Sequence, residues 1–118
     1  MIKKHYNKPE IEGNITVSIK NINIVDRFDP YTNKVKEELE VTFITESAGE
    51  IVQNETSSLH ERSNVTKLIR AARLADRIDE DGFDESLLID KEIIADIYRF
   101  NDRGGNQRVL LKNYKVKS

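Results

Sequence analysis

The 118-residue chain contains no cysteine and no tryptophan, only two prolines, two histidines and one methionine. Without cysteine there is no disulfide, no thiolate metal site and no thiol nucleophile, a composition that fits a reducing cytosol. No apolar run exceeds a few residues, so no membrane span is expected. The opening stretch MIKKHYNKPEIEGN carries bases but lacks the apolar segment of a signal peptide, so the expected location is cytoplasmic. His5 and His60 have neither metal-ligand spacing nor a partner nucleophile. The acidic run from Asp79 to Glu85 does not place glycine and glutamate in the register of a calcium loop. There is no Gly-x-x-x-x-Gly-Lys phosphate loop, and Gly104-Gly105 lacks the strand-to-helix setting of a dinucleotide site. These absences point to no metal, no cofactor and no enzyme.

What the chain does have is charge, at 34% of residues, against 37% hydrophobic. The length suits one domain with its own core. A net charge of −2 argues against a protein that grips duplex DNA by overall charge. The charges are sorted along the chain, however. From Tyr98 to Ser118 six bases face the single acid Asp102, whereas from Asp76 to Asp96 nine acids face two bases. Such sorting suggests one attractive and one repulsive surface.

Residues 1–12 show little periodicity and read as a flexible N-terminal arm, with the domain spanning 13–118. Ile15, Val17 and Ile19 alternate with polar residues as in a half-buried strand, and the apolar set resumes out of phase at Ile22 and Ile24. One extra residue near Lys20–Asn21, a β-bulge, accounts for the change. A turn-rich stretch around Pro30 leads to a second strand, in which Leu39, Val41 and Phe43 share a phase that marks Phe43 as core. A short link at Ser47–Glu50 leads to a third strand over 51–57. Ser63 is a good N-cap for a helix over roughly 64–77, apolar at Val65, Leu68, Ile69, Ala72 and Ala75. An acidic loop follows, with Phe83 tucking back onto the core. Ile93, Ala95 and Ile97 alternate in a fourth strand, and Asn101–Asn106 is the strongest turn signal before a last strand over 107–116. Tyr114 has no assignable face.

This order is mostly β, with one helix between strands three and four, and it resembles the five-stranded OB-fold barrel. Within that class it is similar to the small single-stranded-DNA-binding proteins of phages and mobile genetic elements. The similarity rests on the helix opening Ser63-Asn64-Val65-Thr66-Lys67-Leu68 and on the string Leu87-Leu88-Ile89-Asp90-Lys91-Glu92-Ile93, in which Asp90 stands where the family pattern has glycine. The resemblance implies non-sequence-specific binding of single-stranded DNA during replication or recombination, beside a helicase, polymerase or recombinase. It also implies that the strand crosses the face around strands two and three, between the first and last hairpin loops.

On this chain the first loop region supplies Arg27, Phe28, Tyr31, Lys34 and Lys36, and the second supplies Tyr98, Phe100, Arg103, Arg108 and Lys112. Both combine rings, which stack on any base, with cations that hold phosphates. Phe28, Tyr31 and Phe100 fit equally well as lids over the core, and the arginines as charges that discourage edge pairing. Lys67, Arg70, Arg73 and Arg77 on the helix form a second candidate surface, which ion pairs with the acidic loop would also explain. An alternative function is a protein-interaction module or accessory subunit that binds no nucleic acid, for which the acidic stretch would suit a basic partner. Asp26, Arg27, Asp102 and Arg103 could be assembled into a metal-dependent hydrolase site, but loops rich in Asp and Arg are common. Exposed strand edges leave homo-oligomer formation open.

Overall fold

Glu10–Asp29 (β1), Lys34–Thr45 (β2) and Gly49–Thr56 (β3) form one antiparallel meander, followed by a helix, Asn64–Ala71 (α1), and a second hairpin, Glu92–Asn101 (β4) and Gln107–Lys115 (β5). The computed structural model describes residues 10–117. Residues 1–9 of the expected arm lie outside the described residues. The remainder of that arm is corrected: Glu10, Ile11 and Glu12 already pair with Arg99, Tyr98 and Ile97. A ladder needs only backbone groups, so a polar strand end leaves no trace in hydrophobic periodicity.

The five strands make a single sheet in the order β3-β2-β1-β4-β5. β1 is shared: β4 pairs along its first half and β2 along its second, overlapping at Val17 and Ser18. The expected bulge is present, as a register shift between Ile19 and Asn21. Two further bulges flank β4, one in β1 between Glu12 and Ile15 and one in β5 opposite Ile94–Asp96. Asn14 and Asn113 sit at these two bulges with φ of 55° and 57°. Extra residues of this kind bend a strand and increase its twist. Among the described residues no ladder joins β3 to β5, so the sheet is not closed into a barrel by backbone pairing. The two edges are instead bridged by Gln53, whose amide accepts from the Leu111 N–H (2.9 Å) and donates to the Leu111 carbonyl (3.0 Å).

The concave side of the sheet collects Val17, Ile19, Val41, Phe43, Ile93, Ala95, Ile97 and Leu111, all essentially inaccessible to solvent. The helix closes this core with Val65, Leu68 and Ile69, and packs on β5 and β3 beneath the bridged gap. Tyr114, which the sequence left unassigned, points inward and stacks on Phe43 with ring centroids 5.9 Å apart. Phe83 packs against the core, as expected.

α1 begins where predicted, with the Ser63 hydroxyl accepting from the Thr66 N–H. It ends at Ala71 rather than Arg77, and two 3-10 turns (Ala75–Arg77 and Glu85–Leu88) follow before β4. Arg73 adopts φ of 61°, and the Leu74 N–H reaches back to the Ile69 carbonyl, closing the helix with a Schellman turn. The reversal returns Leu74 and Ile78 to the core, a tertiary gain that continued helical periodicity would forgo.

Beyond Ile22 and Leu39 the β1–β2 hairpin leaves the core and projects as a two-stranded ribbon. Its length explains a radius of gyration of 16.1 Å, against about 13 Å for a compact domain of this size.

Candidate functional site

Strand parity sorts the ten predicted site residues into three groups. In the ribbon, Ile24, Asp26 and Phe28 follow Ile22 onto the core-side face, where Phe28 lies directly opposite Val35. Arg27, Lys34 and Lys36 occupy the other face, across from one another or from Asp29. Phe28 (58% exposed) and Tyr31 (97% exposed) are therefore not core lids. Neither does Phe28 share a face with the cations of its own loop. Arg27 is paired with Glu38 at 3.2 Å and Lys36 with Asp29 at 3.3 Å, which leaves Lys34 as the cation of this group without an ion pair among the described residues.

The second group is brought together. In β4, Ile97 is buried, so Tyr98 and Phe100 both project from the outer face of the sheet, and Leu110, Arg108 and Lys112 do the same in β5. Tyr98 pairs with Leu110 on one side and Ile11 on the other, while Phe100 pairs with Arg108. The Lys112 ammonium stands 5.2 Å from the centre of the Tyr98 ring, a cation–π contact that orients both. Tyr98 Oη accepts from Asn113 Nδ2 at 3.2 Å, which fixes the ring tip. Tyr98 and Phe100 are half-buried, with their remaining surface open to solvent.

Around this face the loop and the bulges are held by two aspartates. Asp102 accepts from the backbone N–H groups of Gly104 and Asn106, each at 2.9 Å, and from Arg108 Nε at 2.9 Å. The Asn106 and Arg108 hydrogen bonds hold its carboxyl below the ordinary value. Arg108 is thus anchored by Nε. Asp96 accepts from Asn113 Nδ2 at 2.9 Å and from the Asn14 N–H at 3.0 Å, pinning the two bulges on either side of β4. These hydrogen bonds, that of Asn113 first, depress its pKa. Arg103, in the turn, is exposed and makes no ion pair among the described residues.

By register the two loop groups lie at opposite ends of β1, with its 20 residues between them. The same separation divides Asp26 and Arg27 from Asp102 and Arg103, and the described residues contain no cluster of three acids or histidines able to hold a metal. The face of β2 and β3 that the resemblance favours carries Glu38, Glu40 and Glu50 together with Thr42, Ile44, Val52 and Asn54. Where β2 pairs with β3, from Glu38 onward, no ring and no cation projects from either strand on this face. Lys34 and Lys36 share this face of β2 but lie beyond the pairing, in the ribbon, so the expected crossing over strands two and three is not supported by the side chains of the paired region. A neighbouring groove, lined by Glu12, Thr16, Ser18, Glu46 and Glu92 among others, is likewise acidic.

Ile11 and Leu110, the apolar flanks of Tyr98, escaped sequence reasoning. Ile11 fell within the supposed arm, and in Leu110-Leu111 only one neighbour can face the core, a choice that periodicity alone does not make. No family model matches the chain, and no curated protein matches it in sequence. No described helix is long and apolar enough to cross a membrane.

Proposed function

We propose that the chain is a small, non-sequence-specific single-stranded-DNA-binding protein built on an OB-type barrel, serving replication or recombination of a phage or mobile element. The observation that carries this reading is the outer face of β4 and β5. There two rings two residues apart, Tyr98 and Phe100, are flanked by Lys112 and Arg108. Residues at that spacing stand about 7 Å apart along a strand. Each ring takes a base on its flat surface, worth ~1–3 kcal/mol per base, and the cations take the adjoining phosphates. Stacking ignores base identity, hence the lack of sequence preference. The bound strand runs over β4–β5 rather than over the carboxylate-bearing β2–β3 face. A helicase, polymerase or recombinase would be met through a different surface.

The barrel reading is supported by β1 being shared between β2 and β4, by its bulge, and by Gln53 spanning the β3–β5 gap above α1. OB barrels are partly open by nature. At the position where the family pattern has glycine, Asp90 has φ of 69°, and its N–H donates to the Ile19 carbonyl at 2.8 Å. A left-handed residue is what glycine supplies most cheaply, so the backbone agrees with the pattern even where the side chain departs from it.

A second reading, a protein-docking module, is favoured by the groove at the ribbon's base. Its floor is Ile24, Leu39, Leu59, Val65 and Phe83, and its charged rim is Glu37, Asp81 and Glu85. Apolar floor and acidic rim together suit a basic, apolar segment of a partner.

Fluorescence anisotropy with labelled oligo-dT separates the two readings. Micromolar or tighter binding that weakens with salt is expected, with Kd rising about 10-fold or more in Tyr98→Ala/Phe100→Ala while circular dichroism reports a retained fold. No binding by the wild-type protein even at low salt would remove the proposal.

A further inference from the structure

We infer that a second phosphate-binding track runs along the exposed side of α1 and the turn after it. Lys67, Arg70, Arg73 and Arg77 form this track, with Arg62 at the helix entrance. It holds the sugar–phosphate backbone of the same strand whose bases stack on β4–β5, and so it rests on the single-strand reading above.

Lys67, Arg70 and Arg73 recur every third residue and all are exposed. Lys67 and Arg70, both on α1, are neighbours about 5–6 Å apart at that spacing, and Arg73 follows in the turn just beyond the C-cap Ala72. Arg77 ends the 3-10 turn that follows, at the border with the acidic loop. A basic helix side needs no ligand if acids neutralise it, and an acidic loop follows directly in sequence. Yet none of the ion pairs among the described residues involves any of these five cations, nor any carboxylate between Asp76 and Asp90. Within 62–77 the only acid is Asp76. The positive field of Lys67, Arg70 and Arg73 therefore faces solvent, while Arg77 borders the groove that it lines with Asp76, Asp79, Asp81 and Asp84.

Arg73 adds an independent observation. It occupies the residue after the helix C-cap with φ of 61°, the position in a Schellman turn that glycine fills without steric cost. An arginine there accepts backbone strain in exchange for a guanidinium at the end of the row. Four of the five cations are arginines, whose planar fork matches phosphate oxygens in pairs.

The chemistry of the other side of α1 separates this ligand from a lipid surface. Val65, Leu68, Ile69 and Ala72 are buried in the core, so the helix has no free apolar side to insert among acyl chains, as an interfacial helix requires. A polyanion with no apolar demand, a phosphodiester chain, is what the row fits.

The test uses the full chain and labelled oligo-dT of about 30 nucleotides, longer than a single OB-type site covers, across a salt series. In Lys67→Gln/Arg70→Gln/Arg77→Gln, affinity at low salt should fall at least 10-fold. The slope of log Kd against log salt should flatten by about 2, since each phosphate contact on a single strand contributes about 0.7. Arg73→Gly guards against a trivial loss of folding: its melting temperature should stay the same or rise while its affinity falls. If the wild type binds and both variants match it in affinity and slope, the track is overturned while the single-strand reading stands, even should α1 prove to capture an acidic protein. If the wild type does not bind at all, both fail together.

Discussion

Gln53 does with a side chain what neighbouring strands do with their backbones. Its amide exchanges two hydrogen bonds with Leu111, and Nε2 also reaches Glu55 Oε1 at 2.7 Å. Removing it by Gln53→Ala should cost about 1–3 kcal/mol, because the Leu111 N–H and carbonyl lose their partners in a half-closed seam. Urea denaturation reads that loss, and faster hydrogen exchange at Leu111 would localise it. Asp96 acts as a second fastener, between two bulges. Its carboxyl is depressed below the ordinary 3.8 by Asn113 and Asn14. The stability it contributes is therefore complete above the unfolded value and is lost as pH falls through the lower, folded one. In an acid titration followed by NMR, the Asn14 amide should move with a midpoint below 3.8; a midpoint at or above it would show that the carboxylate does not hold the bulge. Tyr31, 97% exposed at the ribbon tip, makes the opposite case: Tyr31→Ala should change stability by less than about 0.5 kcal/mol in the same assay.

The strands were readable wherever one face is buried. Val17/Ile19 against Ile22, and Leu39/Val41/Phe43, alternate because one side meets the core, and the phase break between them marked the bulge that the register contains. Strand ends governed by the backbone alone were not legible, as at Glu10–Glu12 or in the ribbon beyond Leu39. Helical periodicity continued past Ala71 through Ala72 and Ala75, but the chain turns at Arg73, and nothing in the residue type announces a left-handed arginine. For the site, the sequence supplied rings near cations without their faces. Parity then separated Phe28 from Arg27, Lys34 and Lys36 but united Tyr98 and Phe100 with Arg108 and Lys112. The bend joining the segment after α1 to β1 depends on Asp90 in a left-handed conformation, hydrogen-bonded to Ile19. Asp90→Gly should stabilise the fold by up to about 1 kcal/mol by relieving that conformation. A clear loss of melting temperature would show instead that the aspartate side chain holds this bend.

At the scale of the whole molecule, the sorted charges of the sequence become separated surfaces. The outer face of paired β2 and β3 and the loop before β4 carry acids, while Arg108 and Lys112 of β5 and Lys67 and Arg70 of α1 are exposed cations, with Arg77 at the border of the acidic loop. A net charge of −2 therefore does not prevent contact with a polyanion, but it restricts where that contact can occur. The ribbon, with Phe28 and Val35 exposed on its core-side face, lies at the other end of β1 from the β4–β5 turn and has no part in the proposed stacking face. Chemical-shift mapping on titration with a short oligo-dT tests the central claim most directly. Resonances of Tyr98, Phe100, Leu110 and Lys112 should move with added strand, while those of Glu38, Glu40 and Asn54 stay in place. Shifts confined to β2 and β3, or none at all at saturating oligonucleotide, would contradict it.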